Sequence, residues 1–358
     1  MRRTPEYRRR TVHAPPTQDA PRIPARAWRT LTPPTTAVSR PSRKKRVPAP
    51  LATSAALIAA AALALGAGPA AAQSAGILPQ ANRLPASTRA MALGDAYQTE
   101  SGHADAVFYH PALLERSSGF GLDWQRWSSE SSAAAASAAV EWLGGGVGLG
   151  LRSLQYSVVD EDLAAPGGQD HLFGVGSVPV SERVASLGYA RTLPWFGVDV
   201  GVVVDLVDER VATTQNTVTL FDVGLARDMG PVTVALTAHD VGRKPIVDVD
   251  DAPALWTLGV GGYGEQLGPL DVGLAAQVGM DHEDELTWGG GVEIGYWPIQ
   301  GRTFVARVGV QDTPETGDLG HLTTGFAFWG DDITVEWAFR PVSGADEAGT
   351  HRFGVRFR

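Results

Sequence analysis

The chain has 358 residues and is acidic overall, with 30 Lys and Arg against 39 Asp and Glu, and it has no cysteine. That excludes disulfides and thiolate metal sites. Residues 1–50 hold 13 of the basic residues and only two acids, Glu6 and Asp19, leaving 17 basic against 37 acidic residues beyond them. A body so acidic excludes a surface that tracks nucleic-acid phosphates.

In chain order, residues 1–46 are basic and rich in Pro and Thr, the composition of a solvated leader that cannot bury a core. The stretch is longer than an ordinary basic n-region, as expected if translation starts further in, at Val38 or Val47. Residues 47–72 read as the apolar core and cleavage site of a signal peptide. Arg43-Lys44-Lys45-Arg46 precedes an uncharged Ala/Leu run, and Ala70-Ala71-Ala72 ends in front of Gln73. A membrane anchor is the competing reading, since the run approaches spanning length.

Residues 73–117 form a separate N-terminal segment. Its centre, GHADAVFYHPALL, breaks with the alternating pattern of the rest. Pro111 has no N–H and biases His110 away from helix, so a short helix is expected to end or kink there.

Residues 118–358 are a string of alternating segments. In one, Val198, Val200, Val202, Val204 and Leu206 fall on one face, with Asp199, Gly201, Val203 and Asp205 on the other. PLDVGLAAQVG, TFVARVGV, DITVEWAFR and HRFGVRFR repeat the pattern. One face is uniformly apolar and the other mixes glycine with charge, the inverse of a soluble barrel. Fourteen strands are predicted, near 118–128, 133–143, 146–158, 181–191, 195–207, 217–227, 231–239, 254–264, 268–279, 286–297, 302–311, 320–329, 332–340 and 350–358. Connections alternate between short turns and longer loops, notably 159–180, 208–216 and 240–253. Lipid leaves no backbone group unpaired at low cost, so strands cross a membrane only as a closed barrel. The expected class is therefore all-β, a transmembrane antiparallel outer-membrane barrel of about 14 strands with a short N-terminal plug.

Charge is expected in two places. Asp199, Asp205, Asp271, Glu293, Arg307, Glu336, Arg340, Arg352 and Arg356 sit on the non-apolar face and should point into the lumen. Those on the tenth, eleventh, thirteenth and fourteenth strands form an ion-pair lattice if these strands are neighbours. Asp248, Asp250, Asp251, Asp281, Glu283 and Asp284 fall in loops and form an acidic outer rim. The rim is read first as solvated charge, and alternatively as a bridge through divalent cations to anionic glycolipid. Nucleophile elbow, P-loop and H-E-x-x-H motifs are absent, so neither enzymatic activity nor a cofactor is expected.

RAMALGDAYQTESGHADAVFYHPALL resembles the N-terminal signature shared by FadL-type fatty-acid transporters and PorV/PorQ proteins. Arg89-Ala90, Leu93-Gly94, Ala96-Tyr97, Asp105-Ala106, Tyr109 and Pro111-Ala112 match. Asp95 stands where the family has a second glycine, and His110 where it usually has asparagine. The C-terminal GYWPIQGRTFVARVGVQ and the THRF final strand resemble PorV/PorQ more than FadL, although Arg358 follows the terminal aromatic. The resemblance implies a fourteen-stranded outer-membrane barrel plugged by its N-terminal segment, with Arg89, Gly94, Asp105, His110 and Pro111 as the plug motif. In function it implies a part in type IX-like protein export, with exported proteins or secretion components as partners. The alternative is FadL-like passage of hydrophobic small molecules.

Overall fold

A computed structural model of the chain describes residues 80–127, 131–159, 177–211, 214–241, 255–280, 285–299, 302–312, 320–341 and 349–357. Fourteen strands follow a short helical segment: β1 (Gly119–Arg126), β2 (Ser132–Trp142), β3 (Gly145–Val159), β4 (Ser177–Leu193), β5 (Val198–Val211), β6 (Thr214–Asp228) and β7 (Thr233–Val241), then β8 (Leu255–Leu267), β9 (Leu270–Met280), β10 (Leu286–Ile299), β11 (Arg302–Asp312), β12 (Leu322–Trp329), β13 (Ile333–Arg340) and β14 (Thr350–Phe357). Each strand pairs antiparallel with its sequence neighbours, and β1 pairs with β14, Trp124 opposite Phe353, so the sheet closes. Closure leaves no edge strand and lets every rung pair within the sheet.

The alternation read from the sequence sets the two faces. Along β5, Gly201, Val203, Asp205, Val207 and Glu209 are buried, while Val202, Leu206 and Arg210 are exposed. The outward set forms an apolar belt in which Leu151, Leu187, Leu274 and Phe326 are each more than half exposed. A Leu or Phe side chain gains about 1.5–3 kcal/mol on leaving water. A belt of this extent is stable only against hydrocarbon.

Connections at the end that carries the start of β1 and the end of β14 are two to four residues long. At the other end they reach 17 residues, between β3 and β4, with one departure from expectation. The loop expected at 208–216 is not a loop: β5 and β6 pair up to Val211 opposite Thr214, and Asp208 and Glu209 belong to β5. Alternation continues through this stretch, and the acidic pair misled a reading that equated charge with loop. Asp208 instead faces outward, bonded to Arg210 at 3.3 Å and Gln215 at 2.6 Å. Asp248, Asp250, Asp251, Asp281, Glu283 and Asp284 all lie outside the described residues.

Strand length makes the wall uneven. β3 to β6 have 15, 17, 14 and 15 residues, whereas β1, β12, β13 and β14 have eight each. At about 3.4 Å per residue and a tilt near 40°, that is roughly 40 Å of height on one side and roughly 21 Å on the other. The tall side therefore rises past an apolar band of about 25 Å. Its far outward positions, Arg183, Asp208, Arg210, Gln215, Thr217 and Thr219, are polar.

The aromatic side chains near the strand ends divide between the two faces. Trp124, Trp142, Trp195, Trp288 and Tyr296 are exposed on the outside. Trp127 packs inward against a buried apolar cluster, and the Trp329 ring lies 5.6 Å from the Arg89 guanidinium inside the lumen.

Candidate functional site

The lumen is filled by the chain's own residues 80–117. These comprise 3-10 turns at Gln80–Asn82, Ala104–Phe108 and Pro111–Arg116 and one short helix, α1 (Thr88–Ala92). Ala90, Ala92, Leu93, Ala112 and Leu114 are wholly buried, and Tyr97 stacks edge-on to Tyr109 at 4.8 Å. After α1 the chain reverses through Gly94 and Asp95, at φ of 64° and 58°. A Cβ at Gly94 would meet the Val310 backbone, so only glycine fits. Asp95 tolerates the left-handed conformation better than most residues but bears a cost that glycine would not. Burial also pushes its carboxyl up to about 7.

This hatch meets two different walls. On β3 to β6 and on β8 several inward positions beneath it are glycine. Gly146 faces the Leu114 backbone, Gly148 and Gly188 the Leu114 side chain, Gly150 the Phe108 ring and Gly201 the backbone at Pro111 and Ala112. Gly224 faces the His110 ring. Side chains there would occupy the space the hatch fills.

The other wall is ionic. Arg89 forks onto Glu293 with Nε–Oε2 at 2.9 Å and Nη2–Oε1 at 2.8 Å, and reaches Glu100 at 2.7 Å. Arg307 donates to Glu293 at 2.6 Å and reaches across β12 to lie 3.0 Å from Glu336 of β13. Arg356 joins Asp105 of the hatch at 3.1 Å to Asp123 of β1 at 2.9 Å, with Glu336 at 3.6 Å. Asp123 also accepts from the Thr88 N–H and hydroxyl. Arg352 donates to Gln125 at 2.9 Å and to the Ala86 carbonyl. Buried charge is costly unless paired and hydrogen-bonded; every charge of this lattice has an opposite charge beside it, while Arg307 Nη1 and Nη2, Glu336 Oε2 and Arg352 Nε have no hydrogen-bond partner among the described residues.

The predicted luminal charges thus separate, five meeting in the lattice and four lying elsewhere. Glu293, Arg307, Glu336, Arg352 and Arg356 meet in the lattice. Arg340 stands apart, donating to the Gly320 carbonyl at 2.9 Å. Asp199 lies at the turn end, 2.6 Å from Arg116. Asp205 is on the tall wall and Asp271 is half-buried. Within the plug motif, Arg89 and Asp105 are the anchors and Gly94 makes the turn. His110 is extended, with Pro111 opening the next 3-10 turn. The His110 ring is wholly buried and its nitrogens have no hydrogen-bond partner among the described residues. Burial lowers its pKa to about 3, so it is neutral near pH 7.

Sequence reasoning missed Asp123, Arg152, Glu182 and Asp222, all buried and inward. The period-2 alternation held the signal: Asp123 sits between outward Leu122 and Trp124, and Arg152 follows outward Leu151.

Besides the apolar contact of the hatch with Ala135, Ala139, Ala190, Val203, Ala226 and Ala235, the lumen has a second apolar region toward the loops. On the loop-end half of the tall wall, Leu154, Val184, Val207 and Leu220 are buried together with Ala81, and Leu84, Trp127, Tyr156 and Val218 pack on them. The first hatch residues cover this patch: the Ala81 N–H donates to Glu182 at 2.7 Å, and Arg152 donates to the Ala81 carbonyl at 3.1 Å. Among the described residues no His, Asp and Glu cluster has the geometry to hold a metal ion.

No family model matches the chain, and no curated protein matches it. Among solved structures it is similar to the deltaS2S3 mutant of the TodX monoaromatic hydrocarbon channel, with a TM-score of 0.51 and 12% identity over 75% of this chain and 96% of that one. The toluene transporters TbuX of Ralstonia pickettii and TodX of Pseudomonas putida give TM-scores of 0.49 and 0.47, at 12% and 10% identity. They are covered over 97% and 95% of their length by 76% and 75% of this chain. At such identity the likeness is one of fold.

Proposed function

We propose that this barrel passes small hydrophobic molecules across a bacterial outer membrane, with residues 80–117 as the hatch that closes it. The observation that carries the reading is the apolar patch of Leu154, Val184, Val207 and Leu220 on the loop-end half of the tall wall, covered by the first residues of the hatch. An apolar solute gains there what it loses on leaving the membrane surface, about 25 cal/mol per Å² removed from water. The patch lies toward the long loops, which face outward in barrels of even strand number whose termini are periplasmic. The fold similarity to hydrocarbon channels supports the same reading. The signal peptide read at 47–72 fits export.

A second reading, a part in protein export, rests on the likeness of both chain ends to PorV/PorQ. One deletion strain tests both. Slower uptake of labelled toluene or long-chain fatty acid, restored by complementation, is the expected result. Unchanged uptake with loss of secreted proteins would replace the first reading by the second.

A further inference from the structure

The outer face of the barrel carries an open groove of about 840 Å³ across β1 to β5. Strand register explains it. One outward rung runs Leu122, Ala136, Leu151, Ala185, Leu206, and the next toward the loops runs Trp124, Ala134, Ser153, Arg183, Asp208. Alanine and serine leave a floor, broken by Leu151, between Leu122 and Trp124 on one side and Leu206 on the other. Rungs cross tilted strands, so the groove climbs. Trp124 stands five residues from Gly119, the turn end of β1, and Arg183 ten from Leu193, the turn end of β4. At the same rise and tilt as above, these are heights of roughly 13 Å and 26 Å, in an apolar band of about 25 Å. The groove therefore runs from mid-band to the outer rim.

The chemistry changes along that climb. Above the two rungs comes a third, running Arg126, Ser132, Gln155, Ser181, Arg210, Gln215, where no side chain is apolar. Three arginines on these rungs thus face one aspartate. Asp208 is engaged by Arg210 at 3.3 Å and by Gln215 at 2.6 Å, and Arg126 is also partnered. Arg183 is exposed at the groove's upper end and has no ion-pair or hydrogen-bond partner among the described residues. A guanidinium placed there suits a phosphate, whose oxygens its planar fork matches. The Ser and Gln side chains above it suit hydroxyls, which both donate and accept.

We propose that this groove holds a phosphorylated glycolipid of the outer leaflet. An acyl chain lies along Ala134, Ala136 and Ala185, a phosphate meets Arg183, and the sugar stands against Gln155 and Ser181. The order of these three tiers, apolar, cationic and hydroxyl-matching, is the order of such a lipid from tail to sugar. A glycerophospholipid supplies the first two parts and leaves the protruding polar wall uncovered. The site is on the outside of the barrel and does not depend on what passes through the lumen.

The test is native mass spectrometry of the full chain in nonionic detergent, with EDTA present so that no divalent cation bridges lipid to the acidic loops. The probes are diphosphoryl lipid A, the same lipid without its phosphates, and dioleoyl phosphatidylglycerol. A single lipid A retained by the barrel, about tenfold more tightly than either other lipid, is the expected result. Arg183→Gln should weaken its binding about fivefold, the scale of an exposed ion pair. Ala136→Phe fills the groove with a side chain that hydrocarbon tolerates, and should weaken binding to a similar extent. Arg227→Gln removes an exposed arginine near the turn end of β6 and should change nothing. Heat-modifiable gel mobility checks the barrel of each variant. Equal binding of either comparison lipid, affinity kept by either groove variant, or a dimer of the chain that takes up no lipid overturns the proposal.

Discussion

Arg89 is the residue on which the hatch turns, because one guanidinium holds Glu100 of the hatch and Glu293 of the wall at once. Removing one member of a buried ion pair strands the rest, at about 3–5 kcal/mol. Arg89→Met should therefore free the hatch, seen as faster limited proteolysis between residues 80 and 117, while heat-modifiable mobility of the barrel is kept. Asp95→Gly should act in the opposite sense, since it relieves both the left-handed strain and the buried carboxyl. The folded pKa of Asp95, about 7, lies above its ordinary 3.8, so the hatch binds the proton more tightly than the free chain does. Stability from this group is present below pH 3.8 and lost as pH rises towards 7. The protection gained by Asp95→Gly should accordingly be larger at pH 8 than at pH 5. For His110 the sign is reversed. A folded pKa near 3 against 6.5 means the hatch loosens as pH falls below 6.5. His110→Asn should leave the barrel intact and lessen the rise in proteolysis between pH 7 and pH 4.

At the scale of elements, the hatch is positioned by what β3, β4, β5 and β6 lack. Gly201 lies against the backbone of Pro111 and Ala112, so Gly201→Val would push a branched side chain into chain that cannot retreat. Overpacking of this kind costs about 1–3 kcal/mol. The expected outcome is an undocked, protease-sensitive hatch in a barrel that still forms, because the outward face of β5 is unchanged. The sequence placed glycine on the non-apolar face, and the family resemblance placed the N-terminal segment in the lumen, but which glycine meets which hatch residue was not legible. A glycine carries no mark of its partner, and the contact of Gly146 with Leu114 is set by tertiary packing. The ionic wall was partly legible: alternation put Glu293, Arg307, Glu336 and Arg356 on one face, while which of them meet depends on the register across β12 and on Arg89 and Asp105 of the hatch. The β5–β6 hairpin was misread because Asp208 and Glu209 look like loop residues, although the period of 2 continues through them.

For the whole molecule, alternation set the two faces, since a one-residue slip would turn every apolar side chain into the lumen; strand count came from alternation with the short and long connections, and closure from the cost of unpaired backbone in lipid. The difference in height between β3–β6 and β12–β1 was not legible, because charged residues on the protruding ends hide where strand gives way to loop. The luminal patch escaped notice for a related reason: Leu154, Val184, Val207 and Leu220 come from four strands and become neighbours only by register. At this scale the central claim is that the N-terminal segment seals a barrel that is otherwise complete. Ion conductance in planar bilayers, comparing the full chain with a variant lacking residues 80–116, tests this most directly. A nearly silent full chain and a steady open channel for the deletion variant are the predicted result; equal conductance of the two would contradict the claim.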